Sequence, residues 1–302
     1  MKTMKTKSVI LILLLATIFS CSDDDDNVPI ESTTRLVAFS STINNISTDN
    51  DLTYNNNNQL TSCNFSTYNY NQNKQLNNYN NSIDFFYNSQ GQITSMIEPS
   101  FGNNINISMT YNAQGLIDKM NFSTTSNITE RTYNYNGSNR LIQIIETNTQ
   151  STNESSRNRF FYDSKGNIIK FTTESRANLT SSYILGRETT YTYDDNKNPV
   201  TEAIKTTSSV NDNGLSFTRI CSPFVIHDIG NSTTGRLKYY SKNNILSKVD
   251  RFVVPNNSDI VITFLYTHSY NADNYPTLST QNYSDTNGDS SVITSNYTYE
   301  TN

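Results

Sequence analysis

Tyr162-Asp163-Ser164-Lys165-Gly166-Asn167-Ile168 is the stretch from which the fold can be read. Its order is aromatic, acid or amide, two polar residues, glycine, any residue, aliphatic. Tyr87-Asn88-Ser89-Gln90-Gly91-Gln92-Ile93 and Tyr111-Asn112-Ala113-Gln114-Gly115-Leu116-Ile117 keep the same frame. Each column has a physical reason. An Asn or Asp just after a strand caps a turn through its side-chain oxygen, and the later glycine supplies the positive φ of a short hairpin loop with a bulge. The tyrosine closes the incoming strand and the aliphatic residue opens the outgoing one, so the two pair across the hairpin end.

Outward from these copies, weaker ones hold the frame with another residue in the glycine column. They are Tyr54 with Asn58 and Leu60, Tyr70 with Lys74 and Leu76, Tyr135 with Asn139 and Leu141, and Tyr240 with Asn244 and Leu246. Tyr193 with Lys197 and Pro199, and Tyr270 with Asn274 and Pro276, are the most degenerate, and Tyr299 opens a copy that runs into the C-terminus. The flanks alternate at period two, as in Tyr133 and Tyr135, Phe160 and Tyr162, or Tyr191 and Tyr193, which is the pattern of half-buried strands. A typical interval of 24 to 31 residues between copies holds two strands and two turns. The expected fold is all-β: an antiparallel meander of roughly 16 to 20 strands, built from tandem β-hairpin repeats, with minimal helix. Twist curls so many strands into a barrel-like shell, with a two-layer β-sandwich as the alternative.

The interval from Tyr193 to Tyr240 is 47 residues and contains an insertion near 205–235 with Gly214, Cys221, Pro223, His227 and Gly230. Irregular segments on a regular scaffold carry specificity, so any activity is sought there first.

The N-terminus reads as an export signal. Lys2, Lys5 and Lys7 precede an apolar run from Val9 to Phe19, too short to cross a bilayer as a permanent helix. Ile18-Phe19-Ser20-Cys21 resembles a bacterial lipobox, which predicts cleavage of residues 1–20 and acylation of Cys21. Asp23-Asp24-Asp25-Asp26 is a solvated acidic run, so residues 21–34 read as a lipidated tether and 35–302 as the repeat domain. The acidic run also resembles the tract that sends some lipoproteins to the outer face of the outer membrane. That likeness implies a lipid-anchored protein facing the cell exterior.

Twenty Tyr, 14 Phe and no Trp in a chain only 34% hydrophobic predict a thin core in which tyrosine supplies much of the buried area. The net charge of −5 and mean hydropathy of −0.61 give no attraction to nucleic acid. The same polarity, with no Trp for an aromatic girdle, argues against a barrel immersed in lipid. With Cys21 acylated, Cys63 and Cys221 remain, and an oxidising compartment permits either a bridge between them or two separate thiols.

No catalytic constellation stands out. His227 and His268 have no second ligand at zinc spacing, and no Gly-x-Ser-x-Gly elbow occurs. His227-Asp228 reads as chance neighbours or as half of an acid/base pair. Asp285, Asn287 and Asp289 alternate as in a calcium loop, but Ser290 replaces the expected glycine and Asn296 the bidentate Glu, so a plain hairpin turn competes with Ca2+ as the reading. Asp194-Asp195-Asn196 matches more poorly still.

The frame of Tyr, Asp or Asn, Gly and an aliphatic residue resembles the YD repeats of the RHS family, with Tyr162 to Ile168 the nearest copy. The likeness covers about Leu52 to the C-terminus and implies β-sheets that wrap into a hollow shell. It lacks that family's enclosed toxin domain and Asp-Pro-type cleavage region. The better match is to small bacterial lipoproteins that use RHS-like repeats as a whole domain, some with a porin-like β fold. Such a likeness implies architecture and no activity. The expected function is a noncatalytic binding or scaffold module at the cell surface, for a glycan or a protein. The alternatives are an extracellular polymer hydrolase with its site near the insertion, and a structural envelope protein.

Overall fold

The computed structural model describes residues 34–301 apart from 101–102, 125–127, 149–154, 179, 206–214, 217–226, 229–237 and 240. The signal segment, Cys21, the acidic run and Cys221 lie outside the described residues. Strands β1 (Thr34–Ile43), β2 (Ile46–Tyr54), β3 (Leu60–Cys63), β4 (Ser66–Tyr70), β5 (Leu76–Tyr79), β6 (Ile83–Tyr87) and β7 (Ile93–Ser100) follow one another. They continue as β8 (Asn103–Tyr111), β9 (Ile117–Ser123), β10 (Ile128–Tyr135), β11 (Leu141–Asn148), β12 (Ser155–Tyr162), β13 (Ile168–Arg176) and β14 (Ile184–Lys197). A helix, α1 (Pro199–Lys205), and three short strands, β15 (Leu215–Ser216), β16 (His227–Asp228) and β17 (Lys238–Tyr239), come next. The chain ends with β18 (Asn243–Phe252), β19 (Ile260–Tyr270), β20 (Pro276–Asp285) and β21 (Ser290–Thr301).

From β1 to β14 every strand pairs antiparallel with the next, β14 pairs with β18, and the succession runs on to β21. β21 then pairs antiparallel with β1, from Thr34 against Thr301 to Ile43 against Ile293. The 18-stranded sheet therefore closes on itself as an up-and-down barrel, with no edge strand left to template aggregation. The expected barrel-like shell is found, and the sandwich alternative is not. The seam also completes the repeat that Tyr299 opens, because Leu36 faces Tyr299 as Leu60 faces Tyr54.

One rim of the barrel is made by the repeat turns. Asn55 Oδ1 accepts the N–H groups of Asn57 (2.9 Å) and Gln59 (3.0 Å), while the Asn55 N–H donates to the Gln59 carbonyl (2.9 Å). The same bonds recur at Asn71, Asn88 and Asn271. Gly91, Gly115 and Gly166 take φ of 78°, 75° and 93°, and Asn58, Lys74, Asn139 and Asn274 stand in the same column at 59° to 65°. Each turn is thus a type I turn closed by a bulge, and the register shift falls at the tyrosine in every such hairpin.

The alternation fixes which face is inside. Leu52, Tyr68, Phe85, Met109, Tyr133 and Phe160, two residues before each repeat tyrosine, are buried in one continuous core. On the outer face of β8, Asn104, Asn106, Ser108 and Thr110 are exposed. On β8 the apolar side chains thus face inward and the polar ones outward, the inverse of the alternation in a lipid-immersed strand.

The repeat tyrosines hold consecutive hairpins together. Tyr54 donates its hydroxyl to the carbonyl of Leu36, Tyr70 to Leu60, Tyr87 to Leu76, Tyr111 to Ile93, Tyr135 to Ile117, Tyr162 to Leu141, Tyr193 to Ile168 and Tyr299 to Pro276, at 2.6 to 2.8 Å. In each case the acceptor is the outgoing residue of the preceding hairpin. The tyrosines are therefore a structural ladder, half-buried and packed against the core.

Tyr135→Phe leaves the Ile117 carbonyl without this donor and is expected to cost about 1–2 kcal/mol, seen as a Tm lower by several degrees in a thermal melt. Burial pushes the Tyr111 phenol up to about 12, and the other ladder phenols that shift move the same way. Folded pKa values above the unfolded value of 10.0 mean stability that is complete below that pH and lost as pH rises through the folded values. Absorbance titration is expected to show these phenols ionising together with loss of the β circular dichroism signal, rather than before it.

Candidate functional site

The insertion enters through one repeat turn. Asp194 stands where Asn55 stands in its hairpin, and its Oδ1 accepts the N–H groups of Asn196 (3.0 Å) and Asn244 (3.1 Å). Asn244 thus takes the place of Gln59, and Ile245, paired with Tyr193 and buried, takes that of Leu60. Residues 195–243 are spliced into the turn with its cap intact. This corrects two assignments made from the sequence. Pro199 is not the aliphatic position of the Tyr193 copy, and Tyr240 with Asn244 and Leu246 is not a separate copy, since Leu246 points outward and Ile245 inward.

The base of the insertion is clamped. Asn198 caps α1 by accepting the Val200 N–H at 3.1 Å, with Pro199 in the first helical position, where its missing N–H costs nothing. On the returning chain, Asn198 Nδ2 donates to the Ser241 carbonyl (3.0 Å), its N–H donates to the Lys242 carbonyl (3.0 Å), and the Thr201 hydroxyl also donates to the Ser241 carbonyl. Val200 and Ala203 are buried in the core, and α1 packs against β1 rather than against its own neighbours in the ring.

Just beyond the insertion the ladder changes. The register between β18 and β19 pairs Ser247 with Leu265, which brings His268 level with the Ile245 carbonyl where a repeat tyrosine stands in other hairpins. His268 Nε2 bonds that carbonyl at 2.9 Å. Tyr270, displaced toward the rim, donates its hydroxyl to Asp194 Oδ2 instead, across the insertion's entry. A carbonyl only accepts, so the His268 proton sits on Nε2, and Nδ1 accepts the Ser279 hydroxyl at 2.6 Å.

The inward pair one step further from the rim is apolar or aromatic in the other hairpins, as in Met109 with Met120 or Phe160 with Phe171. Flanking the insertion it becomes Tyr191 with Lys248 and then His268 with Ser279. Below Lys248, Asp250 receives Lys248 Nζ (2.8 Å), Arg187 Nη2 (2.6 Å) and the Thr189 hydroxyl (2.5 Å). Burial opposes the Asp250 charge, but Lys248, Thr189 and Arg187 outweigh it and hold the carboxyl below its ordinary pKa. Burial, seconded by the Asp250 charge, drives the Tyr191 phenol far upward. The barrel thus has a polar, hydrogen-bonded sector on its inner wall beside the insertion, in addition to the pair of buried Arg131 with Glu146 between β10 and β11. Ser279 and His268 pair as a nucleophile and base would, but Ser279 is only 3% exposed and the imidazole is oriented by a carbonyl rather than a carboxylate.

The residues marked in the sequence are not gathered here. Tyr87, Gly91, Tyr111, Gly115, Tyr162 and Gly166 lie at the repeat turns. Cys63 is buried inside the barrel, opposite Leu52, and its suggested partner Cys221 is outside the described residues. Asp285 Oδ1 accepts the N–H groups of Asn287 (2.9 Å) and Asp289 (3.0 Å), so this stretch is built as a capped hairpin turn. Among the described residues no group of three or more His, Cys, Asp or Glu side chains is placed to hold a metal ion. His227 and Asp228 lie in β16, paired with Tyr239 and Lys238 of β17. Lys248, Asp250, Arg187 and Ser279 carry no motif, and only the register between strands brings them together.

No family model matches the chain, and no curated protein matches it. Among solved structures it is similar to a porin-like protein from Bacteroides vulgatus, at 9% identity and a TM-score of 0.42, over 89% of this chain and 99% of that one. A porin-like protein from Bacteroides uniformis is similar at 11% identity and a TM-score of 0.41, over 88% and 96%. The closed barrel itself rests on the strand register of this chain.

Because the Asp250 pKa is depressed, its contribution to stability is present above the unfolded value of 3.8 and is lost as pH falls through the folded value. Lys248→Met removes a cation that holds the carboxyl charged. It is expected to move the acid-unfolding midpoint to higher pH, while Lys242→Met, on an exposed side chain, leaves it in place.

Proposed function

We propose that this chain is a noncatalytic binding module, a lipoprotein acylated at Cys21 and carried at the cell surface, whose YD-type repeat barrel displays the insertion to a glycan or protein ligand. The observation that carries the reading is the splice: one turn of a closed barrel opens to admit residues 195–243 while its Asx cap, from Asp194 to Asn244, still closes beneath them. A rigid frame with a clamped insertion is how binding loops are positioned elsewhere. The His268 and Ser279 pair belongs to the frame in this reading, since His268 does the work of a repeat tyrosine. The lipobox-like Ile18-Phe19-Ser20-Cys21 and the acidic run support the anchor and the outward placement.

The experiment is protease shaving of intact cells, followed by a glycan and protein binding screen with the released domain and with a variant in which residues 206–237 are replaced by a short Gly-Ser linker. That variant keeps α1 and the Ser241 clamp. The expected result is release by protease, a cooperative melt in both proteins, and a ligand bound by the wild type alone. Protection from protease would remove the surface placement, and a ligand kept by the shortened variant would remove the insertion as its site.

A further inference from the structure

The outer wall carries a second feature, independent of the reading above. On β12, β13 and β14 the outward residues Arg157, Arg159, Phe161, Lys170, Glu174, Leu185 and Glu188, with Tyr183 from the preceding loop, line an open pocket of about 280 Å3. The register sets Arg157 opposite Glu174 and Arg159 opposite Thr172, while Phe161 faces Lys170. Glu174 has a side chain only 4% exposed, unusual for a carboxylate on an outer face, and both its oxygens are occupied. Arg157 Nε bonds Oε2 at 2.6 Å and Arg159 Nε bonds Oε1 at 2.8 Å. Burial raises the carboxyl's pKa, and these two guanidiniums more than reverse it, so Glu174 stays ionised.

One arginine neutralises one glutamate; here two are fixed by it. Each guanidinium is bound through Nε and Nη2, and Nη1 of neither makes a hydrogen bond among the described residues. Lys170 is paired with Glu188 at 3.1 Å and lies over the Phe161 ring at 5.1 Å. Tyr183 is gripped between Arg157 at 4.1 Å and Arg176 at 4.6 Å, with its hydroxyl on Ser155 at 2.7 Å, so the loop side chain is locked as a wall of the pocket. Among the described residues lining the pocket, three cations, Arg157, Arg159 and Lys170, therefore face two carboxylates, Glu174 and Glu188, on a protein whose net charge is −5. The patch is a local positive field that the overall charge does not explain. Phe161, 39% exposed, and Leu185 supply an apolar floor beside it.

We propose that this pocket binds a carboxylate-bearing sugar. The acid group would be taken by the free Nη1 side of Arg157 and Arg159, whose orientation Glu174 has already fixed, and the apolar face of the ring would lie on Phe161. Preorganised guanidiniums lose little freedom on binding, and planar guanidinium to carboxylate pairing is the strongest polar recognition open to an exposed wall. Glu188, steadied by Lys170, is placed to take a hydroxyl group, while the buried Thr172 hydroxyl donates to Glu174 and helps fix it. The size of the pocket suits a small ring rather than an extended chain.

The test is calorimetric titration of the whole barrel with methyl β-glucuronide, methyl β-glucoside and acetate at low salt. The glucuronide is expected to bind, the glucoside and acetate each about tenfold or more weakly, and the affinity to fall as salt is raised. Arg159→Gln, at an exposed guanidinium that leaves Arg157 on Glu174, is expected to weaken the glucuronide about tenfold. Phe161→Ser, which removes the apolar floor and the ring beneath Lys170 but none of the charged groups, is expected to weaken it while keeping the wild-type melt. The 206–237 linker variant is expected to bind the glucuronide as the wild type does, which separates this site from the insertion. Equal binding of glucuronide and glucoside, equal binding of glucuronide and acetate, no binding at all, or indifference to both substitutions would each overturn the proposal.

Discussion

The bond from a tyrosine hydroxyl to the backbone carbonyl of the preceding hairpin is the interaction on which this barrel depends. A hairpin by itself is marginal in water, and a chain only 34% hydrophobic has little apolar area with which to weld hairpins together. A phenol meets both needs. Its ring fills the inner layer, and its hydroxyl satisfies a carbonyl where the bulge interrupts the strand ladder. Because the donor belongs to one repeat and the acceptor to the one before, each bond orients a neighbour rather than decorating its own turn. The side chain that follows the glycine column adds a second tie, as when Gln59 Nε2 reaches the Lys74 carbonyl at 2.7 Å and Arg140 Nη1 that of Asp163 at 3.0 Å.

Ring closure follows from the same bond. A repeat array has two terminal units that each lack a partner, and a β array has in addition two exposed edges. Here Tyr299 and Leu36, from opposite ends of the domain, make one complete hairpin end between them, and Tyr54 returns the bond to the Leu36 carbonyl. The seam thus carries the same chemistry as the other tyrosine-bonded repeat boundaries. Two terminal half-repeats of matching type need no capping unit.

The turns, their tyrosines and the approximate number of strands could be read from the sequence because they are local: the Asx cap, the positive φ and the bulge all lie within seven residues. Closure was legible only as a consequence of strand number. What the sequence concealed was whatever depends on register between strands far apart in the chain. Tyr240, Asn244 and Leu246 imitate the repeat frame by composition, whereas the residues that complete the split turn, Asp194 and Asn244, are separated by the whole insertion. The inner sector of Lys248, Asp250 and Arg187 and the outer pair of arginines on Glu174 are likewise made by cross-strand neighbours, and no spacing along the chain marks them.

The slide between β18 and β19 shows how an insertion alters a repeat structure without breaking it. Moving the register by an even number of residues keeps every side chain on its proper face, so the core and the polar exterior survive. What moves is the level of the ladder donor, and a tyrosine set too near the rim cannot reach the Ile245 carbonyl. His268 restores the bond from a shorter side chain, and the displaced Tyr270 hydroxyl becomes available to Asp194, whose other oxygen caps the split turn. The imidazole then has a second nitrogen to satisfy where a phenol would have none. That requirement accounts for Ser279, a small hydroxyl residue, at the facing position where other hairpins place a large apolar one. The polar pair beside the insertion is in this sense the imprint of the slide on the inner wall, and it arises from hydrogen-bond accounting at one shifted strand boundary.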